Sequence, residues 1–385
     1  MKMKKSIFTL LAALTIIFTG CGENKSIDKS PQKSNSNSIA SINNSTYIKT
    51  SQNVYSQGFI SNTKPHWYFD FATMKKMILC SKPNCTHNSS DCISNVIGDT
   101  PIIHGDYIYY FTSESGIKEE KEKREYYIKS SLNRCSLDSS NIEKIVEFTD
   151  CVPRDFDGCA LTGNTIYFCG DDMNPTEDEY GNILSSNVGG KHYFCSIDLS
   201  TREYTNHGLI YNDKQYSAAN SSSTAKVTGV YNSQVYIEYS FLKEKIPQTA
   251  YNENFDARDY FTILNFTYDL NTGELKQSEL PSASFMNDDS YLYSNYPDKS
   301  STLIYGGETF VIKGLDVEIY GRFVNKKIFM NDCWYDINDS SKHTLGKYKG
   351  WNILSFYDDS YIVSNSNCTE VVKLTEDELL SLDKD

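Results

Sequence analysis

Cys80-Ser81-Lys82-Pro83-Asn84-Cys85-Thr86-His87-Asn88-Ser89-Ser90-Asp91-Cys92 gathers three thiols and one imidazole within thirteen residues. Three sulfurs and one nitrogen make a closed tetrahedral set suited to zinc, and closed sets are structural rather than catalytic. Cys80, Cys85 and Cys92 would bind as thiolates and His87 as the neutral ring. The spacing, C-x4-C-x-H-x4-C, differs from that of the common fingers and knuckles. A disulfide is the competing chemistry, favoured by an oxidising compartment, and unligated thiols are the third reading.

No other constellation carries chemistry by its spacing. The chain has no Gly-x-Ser-x-Gly elbow, no His-Glu-x-x-His helix, no phosphate-cradling loop and no calcium-loop spacing. Asp171, Asp172, Glu177, Asp178 and Glu179 could gather a cation or act as an acid/base pair, but such a run is more often a solvated loop. His104 and Asp106 stand at a turn before a strand, where a turn role is expected. Ile117 to Glu125 mixes both charge signs and reads as a solvated hairpin tip.

The elements that must position these residues are strands. The 29 tyrosines and 19 phenylalanines lie among isoleucine, valine and threonine in short alternating runs. One pattern is a turn residue followed by an aliphatic and usually an aromatic residue: Gly105-Asp106-Tyr107-Ile108-Tyr109, Gly163-Asn164-Thr165-Ile166-Tyr167, Asn232-Ser233-Gln234-Val235-Tyr236, Asp289-Ser290-Tyr291-Leu292-Tyr293, Asn325-Lys326-Lys327-Ile328-Phe329 and Asp359-Ser360-Tyr361-Ile362-Val363. A turn feeding a half-buried strand explains each copy. A second pattern places an aspartate after a strand, at Asp70, Asp138, Asp198, Asp269 and Asp336, where it can close a hairpin by bonding its own backbone. Gly306-Gly307 marks a two-residue hairpin.

Recurring four-strand units of this kind predict an all-β fold, a β-propeller of about seven blades. A β-sandwich or several small β-domains would read similarly. Long inserts are expected at Ile117–Tyr126, Asp171–Lys191 and Lys243–Asp259. Thr375-Glu376-Asp377-Glu378 resembles a capping box before Leu379, Leu380 and Leu382, which predicts a short C-terminal helix packed on the outside. Three residues before each repeat aspartate stand Trp67, Cys135, Cys195, Phe266 and Cys333. Side chains alternate along a strand, so these share a face with the apolar residue just before the aspartate. Cys135, Cys195 and Cys333 are therefore read as small buried hydrophobes, not ligands. Cys151 and Cys159 flank a turn-rich stretch that a bridge could close; Cys169 and Cys368 have no assigned place.

The first residues say where the protein goes. Lys2, Lys4 and Lys5 precede the apolar run Ile7–Phe18, which ends in Phe18-Thr19-Gly20-Cys21. This is the layout of a secretory signal peptide, and the run is shorter than the ~20 residues a membrane span needs. The four closing residues resemble a bacterial lipobox, with Phe18 where most carry leucine. The resemblance implies cleavage before an acylated (palmitate-type) Cys21, and more than one acyl chain anchors a protein stably. Residues 1–20 are then the signal peptide, 21–46 a Ser-, Asn- and Lys-rich flexible tether, and 47–385 the propeller-like domain. The mature chain carries 34 basic and 50 acidic side chains, a net charge of −16. An acidic surface with no basic stripe excludes nucleic acid as a partner.

The run Leu79-Cys80-Ser81-Lys82-Pro83-Asn84-Cys85-Thr86-His87, ending in Asp91-Cys92, resembles a signature of exported lipoproteins of Gram-positive anaerobes. The resemblance extends over the lipobox, the tether, this loop and the following strands. It implies a propeller domain of unknown function on a lipid anchor at the extracytoplasmic face of the cell membrane, and no established activity. The expected function is non-enzymatic binding by a propeller face, of a glycan, a peptide or another envelope protein. The alternative is a polysaccharide hydrolase or lyase, with carboxylates from several blades, or a carboxylate and a histidine, meeting at the channel mouth.

Overall fold

The computed structural model describes residues 52–384 apart from 56–57, 62–63, 90–91, 98–100, 121–122, 137–139, 154–157, 173–190, 212–222, 243–260, 284, 287–288, 296–297, 299, 316–321, 331 and 340. The stretches expected to be a signal peptide (1–20) and a tether (21–46), Cys21 included, lie outside the described residues. So do Leu137-Asp138 and most of the inserts expected at 171–191 and 243–259.

Seven antiparallel sheets follow one another along the chain. The first four are blade one (Gln52–Tyr55, Gly58–Ser61, Trp67–Asp70, Lys75–Ile78), blade two (Ile102–His104, Tyr107–Glu120, Lys123–Ser136, Glu143–Phe148), blade three (Cys159–Thr162, Thr165–Asp172, His192–Asp198, Glu203–Leu209) and blade four (Ser223–Tyr231, Gln234–Leu242, Phe261–Asp269, Leu275–Gln277). Blade five holds Phe285–Met286, Ser290–Asn295, Ser300–Tyr305 and Glu308–Lys313; blade six holds Arg322–Val324, Lys327–Phe329, Cys333–Asp336 and Lys342–Thr344. Among the described residues blade seven has three strands, Asn352–Tyr357, Ser360–Ser364 and Val371–Thr375. A fifth strand, Cys151–Pro153, adds to blade three along Thr165–Asp172. The first strands of blades three and four, four and five, and six and seven touch, and the first strand of blade seven touches that of blade one. The ring is closed. This is the seven-blade propeller expected from the repeats, and the sandwich reading falls.

The two repeat patterns are the two kinds of turn on one face of the ring. Copies of the first join first and second strands: Asn232-Ser233, Asn325-Lys326 and Asp358-Asp359 have positive φ at both positions, and Gly105 and Gly163 supply it at the first. These primed turns match the strand twist. Copies of the second join third and fourth strands. Asp198 Oδ1 accepts from the N–H groups of Ser200 (2.8 Å) and Thr201 (2.9 Å), and Asp269 Oδ1 from those of Asn271 (2.8 Å) and Thr272 (3.0 Å). Backbone bonds such as Leu199 N–H to Asn164 O and Leu270 N–H to Ser233 O tie the two turns of a blade together. The remaining connections, second to third strand and blade to blade, emerge on the opposite face, because direction reverses at every strand.

Each blade is buried on both sides. Tyr109 and Phe111 face blade three while Ile108 and Tyr110 face blade one, as the period of two requires. The expectation of half-buried strands is corrected accordingly: the inner strands have two buried faces because a propeller packs sheet against sheet all round. Trp67, Cys135, Cys195 and Phe266 are all buried toward the preceding blade, and Cys333 is buried as well. The C-terminal helix Glu376–Ser381 begins with the expected capping box between Thr375 and Glu378. It does not merely lie outside: Leu379 and Leu382 enter the seam between blades six and seven. The 117–125 stretch is the outer end of a hairpin as expected, but it is not an insert between strands. Its backbone continues a long hairpin paired as far as Glu120 and Lys123.

The hydroxyl and N–H groups of Ser200, with the Thr201 N–H, hold Asp198 below the usual carboxylate range. A lowered carboxylate contributes its stability above the unfolded value and loses it as pH falls through the folded one. Replacing Asp198 with alanine leaves those donors without their acceptor. The expected loss is roughly 1–2 kcal/mol in denaturant unfolding near neutral pH, shrinking in acid. Asp198→Asn, which keeps an acceptor oxygen, should lose less.

Candidate metal centre

The cysteine loop is the connection from blade one to blade two, on the face opposite the repeat turns. Lys82-Pro83-Asn84-Cys85 is a type II turn: proline presets the first corner, Asn84 takes φ 59°, and the Cys85 N–H bonds Lys82 O at 3.3 Å. His87 is also left-handed (φ 57°), which turns its ring back toward the sulfurs. Cys92 then opens a one-turn helix, Ile93–Val96, with its carbonyl accepting from Asn95 (2.8 Å) and Val96 (3.1 Å). The Asn95 amide bonds His87 O (3.0 Å) and Ser89 O (2.9 Å), so the helix fastens the loop that precedes it.

The four candidate ligand atoms, from Cys80, Cys85, His87 and Cys92, all lie within 4.8 Å of one another. Cys85 Sγ is 3.6 Å from Cys92 Sγ, which is 3.6 Å from His87 Nδ1. A tetrahedral zinc with Zn–S of about 2.3 Å and Zn–N of about 2.0–2.1 Å has edges of about 3.8 Å between sulfurs and about 3.6 Å between sulfur and nitrogen. The Cys85–Cys92 and Cys92–His87 pairs already stand near those edges. A disulfide needs about 2.05 Å, so Cys85 and Cys92 are separate thiols here.

The electrostatics is compatible with a cation. Burial opposes a Cys92 thiolate, yet hydrogen bonds from Ser94 (Oγ at 3.0 Å), from His87 and from Cys80 bring it down to about 6. Burial and the neighbouring Cys92 and Cys85 sulfurs push Cys80 the other way. Three sulfurs this close cannot all ionise unaided, and a central ion removes the conflict.

The site is rooted in the core. Leu79, just before Cys80, and Ile93 and Ile97, just after Cys92, pack with Ile60, Ile108, Tyr110 and Cys135 in the seam between blades one and two. Backbone bonds from His66 to Ser94 O (2.7 Å) and from Leu79 to His66 O (3.1 Å) tie both ends of the loop to blade one.

The other sequence candidates fall elsewhere. Cys151 and Cys159 are buried, free and not joined; Cys151 Sγ instead lies 3.8 Å from Cys195 Sγ and 3.1 Å from the Tyr204 hydroxyl. Cys169 is buried in the seam between blades three and four, and Cys368 in that between seven and one. His104 ends a strand just before the turn, with Nε2 2.8 Å from Asn164 Oδ1 in the next blade. Asp171 is not a solvated acid: it is buried and lies 2.7 Å from His192 Nδ1. Asp172 pairs with Lys191 at 3.9 Å, and Glu177, Asp178 and Glu179 lie outside the described residues. Sequence reasoning missed His192, which carries no motif.

No family model and no curated protein matches the chain. Solved structures with a similar fold include TolB from Acinetobacter baumannii, at 10% identity over 89% of this chain and 63% of its own, with a TM-score of 0.29. An oligogalacturonate lyase in complex with manganese is 10% identical over 85% of this chain and 77% of its own, TM-score 0.27. Dipeptidyl peptidase 4 from Porphyromonas gingivalis is 10% identical over 88% and 53%, TM-score 0.40. The chain thus spans under two thirds of TolB and about half of the peptidase. These likenesses carry no activity to it.

Ile97 is fully buried where the loop meets the core. Ile97→Ala should cost roughly 2–5 kcal/mol in denaturant unfolding. A loss below 1 kcal/mol would mean that the loop rests on the seam without helping to fill it.

Proposed function

We propose that this chain is an exported lipoprotein whose propeller carries a structural zinc ion and binds an extracytoplasmic partner, a glycan, a peptide or an envelope protein. The observation that carries the zinc assignment is the closed donor set. Four protein ligands complete a tetrahedron and leave no position for water or substrate, so the ion staples the chain and does no chemistry. The staple would brace the seam between blades one and two at the face where the variable connections emerge. Exposed apolar side chains flank the loop in sequence, Met77 and Ile78 before it and Val96 after it, and such groups favour contact with a partner.

Anchoring is proposed at Cys21. Support comes from the basic start, the short apolar run and the cysteine that closes it. Among the described residues no helix is long and apolar enough to cross a membrane.

Protein purified under reducing, anaerobic conditions should contain about one equivalent of zinc, as a closed four-ligand site requires. His87→Ala should lower that content. Chelation should raise hydrogen exchange in residues 80–97 while the blades stay protected. Metal-free protein with a Cys80–Cys92 peptide two hydrogens light would instead establish a disulfide.

Cys21→Ser should leave the protein unprocessed or move it from the membrane fraction to the medium. Unchanged size and unchanged membrane partition would refute the anchor.

A further inference from the structure

Asp171, His192 and Ser223 form a continuous hydrogen-bonded chain across the seam between blades three and four. Asp171, near the end of its strand, stands directly opposite His192, which opens the next one. Ser223 opens the first strand of blade four. His192 Nδ1 lies 2.7 Å from Asp171 Oδ1, and His192 Nε2 lies 2.7 Å from Ser223 Oγ. The imidazole and the carboxylate are 2% and 4% exposed, whereas Ser223 is half-buried. The Tyr239 ring packs edge-on against the imidazole, centroids 5.5 Å apart, and fixes its plane.

These residue types in this order are a nucleophile, a base and a group that orients the base. A carboxylate can only accept, so it holds the imidazole proton on Nδ1. Nε2 is then left to accept from the Ser223 hydroxyl. The chain lies on the face opposite the repeat turns, as the metal loop does. It also provides the pairing of a carboxylate with a histidine that an enzyme would need.

We infer that Asp171, His192 and Ser223 form an acyl-transfer centre acting on carboxylic esters. Ser223 Oγ bonds to the ester carbonyl carbon while its proton passes to His192 Nε2. The carbon–oxygen bond to the alcohol then breaks, and the departing alkoxide takes that proton. Water attacks the acyl-serine, again giving its proton to His192; the carboxylic acid leaves as Ser223 regains a proton. Asp171 is a positioning residue that keeps the imidazole in the working tautomer throughout. An ester suits the site because its alkoxide, taking the proton of one imidazolium, leaves more readily than the nitrogen of an amide. This inference is independent of the metal and the anchor.

The same hydrogen bonds could serve only to brace the two blades, and the test separates these roles. A brace does not make a serine hydroxyl attack an electrophile. The full chain incubated with a fluorophosphonate probe should gain one covalent adduct, mapped by peptide mass to Ser223. Ser223→Ala and His192→Gln should abolish it in protein whose circular dichroism and unfolding temperature show that it is folded. Asp171→Asn should slow adduct formation by about 10³-fold or more, and Asp171→Glu, which keeps a carboxylate, should restore a measurable part of the rate. No adduct at Ser223 in the folded wild-type chain overturns the proposal. So does an adduct whose rate is the same in His192→Gln. If Asp171→Asn fails to fold, the Ser223 and His192 variants still decide.

Discussion

Seven apolar seams, one between each pair of neighbouring blades, hold this molecule together, and every other feature is arranged around filling them. Each seam has its own buried cluster, from Ile60, Ile108 and Tyr110 between blades one and two to Phe59, Phe69, Leu354 and Ile362 between seven and one. A fully buried side chain of this size contributes about 1.5–3 kcal/mol relative to exposure. Among the described residues, closure is made by side chains: blade one and blade seven are each built from a continuous stretch, and no described strand of one end completes the sheet of the other. The Phe59, Trp67, Phe69 and Phe71 rings, with centroids 5.2–6.5 Å apart, therefore do the closing.

That constraint explains why the two faces of the ring read so differently in the sequence. On one face every connection is a short turn within a blade. Primed hairpins favour asparagine, glycine or aspartate at positive φ, and the third-to-fourth turns of blades three and four use an aspartate to hold two N–H groups. Those demands recur blade after blade, so Asn232-Ser233, Asp198 and Asp269 could be recognised singly and counted together. On the other face the connections must only span a distance. Nothing there obliges a residue type to recur, and this is the face that carries the cysteine loop and the Asp171–His192–Ser223 chain.

The two sites differ in legibility for the same reason. Cys80, Cys85, His87 and Cys92 are close in sequence because a single connection supplies all four candidate ligands, so their chemistry shows in the spacing. Asp171 and His192 are 21 residues apart, and Ser223 lies 31 beyond His192. They meet only because Thr165–Asp172 and His192–Asp198 pair in register and blade four packs against both. Read locally, Asp171 was one of several acids in a polar run. Its burial follows from strand register, which one sequence does not reveal. The cysteines at Cys135 and Cys195 lie between these extremes, since their offset from a repeat turn predicts a buried position without predicting which neighbouring blade they face.

The cysteine loop also answers a weakness in the ring. Blade one has short strands, and its outermost, Lys75–Ile78, is exposed along its whole length. It gains little from its own outer edge and depends on the seams on either side. The seam toward blade seven is filled by aromatic rings. The seam toward blade two is filled partly by Leu79, Ile93 and Ile97, which belong to the connection and not to any strand. A connection contributes to a core only if its backbone is held in one conformation, because ordering each residue costs about 1–2 kcal/mol. The type II turn, the Asn95 bonds and the one-turn helix do part of that ordering. A zinc ion joining Cys80 to Cys92 would do the rest, fixing both ends of the loop whose flanking residues complete the seam.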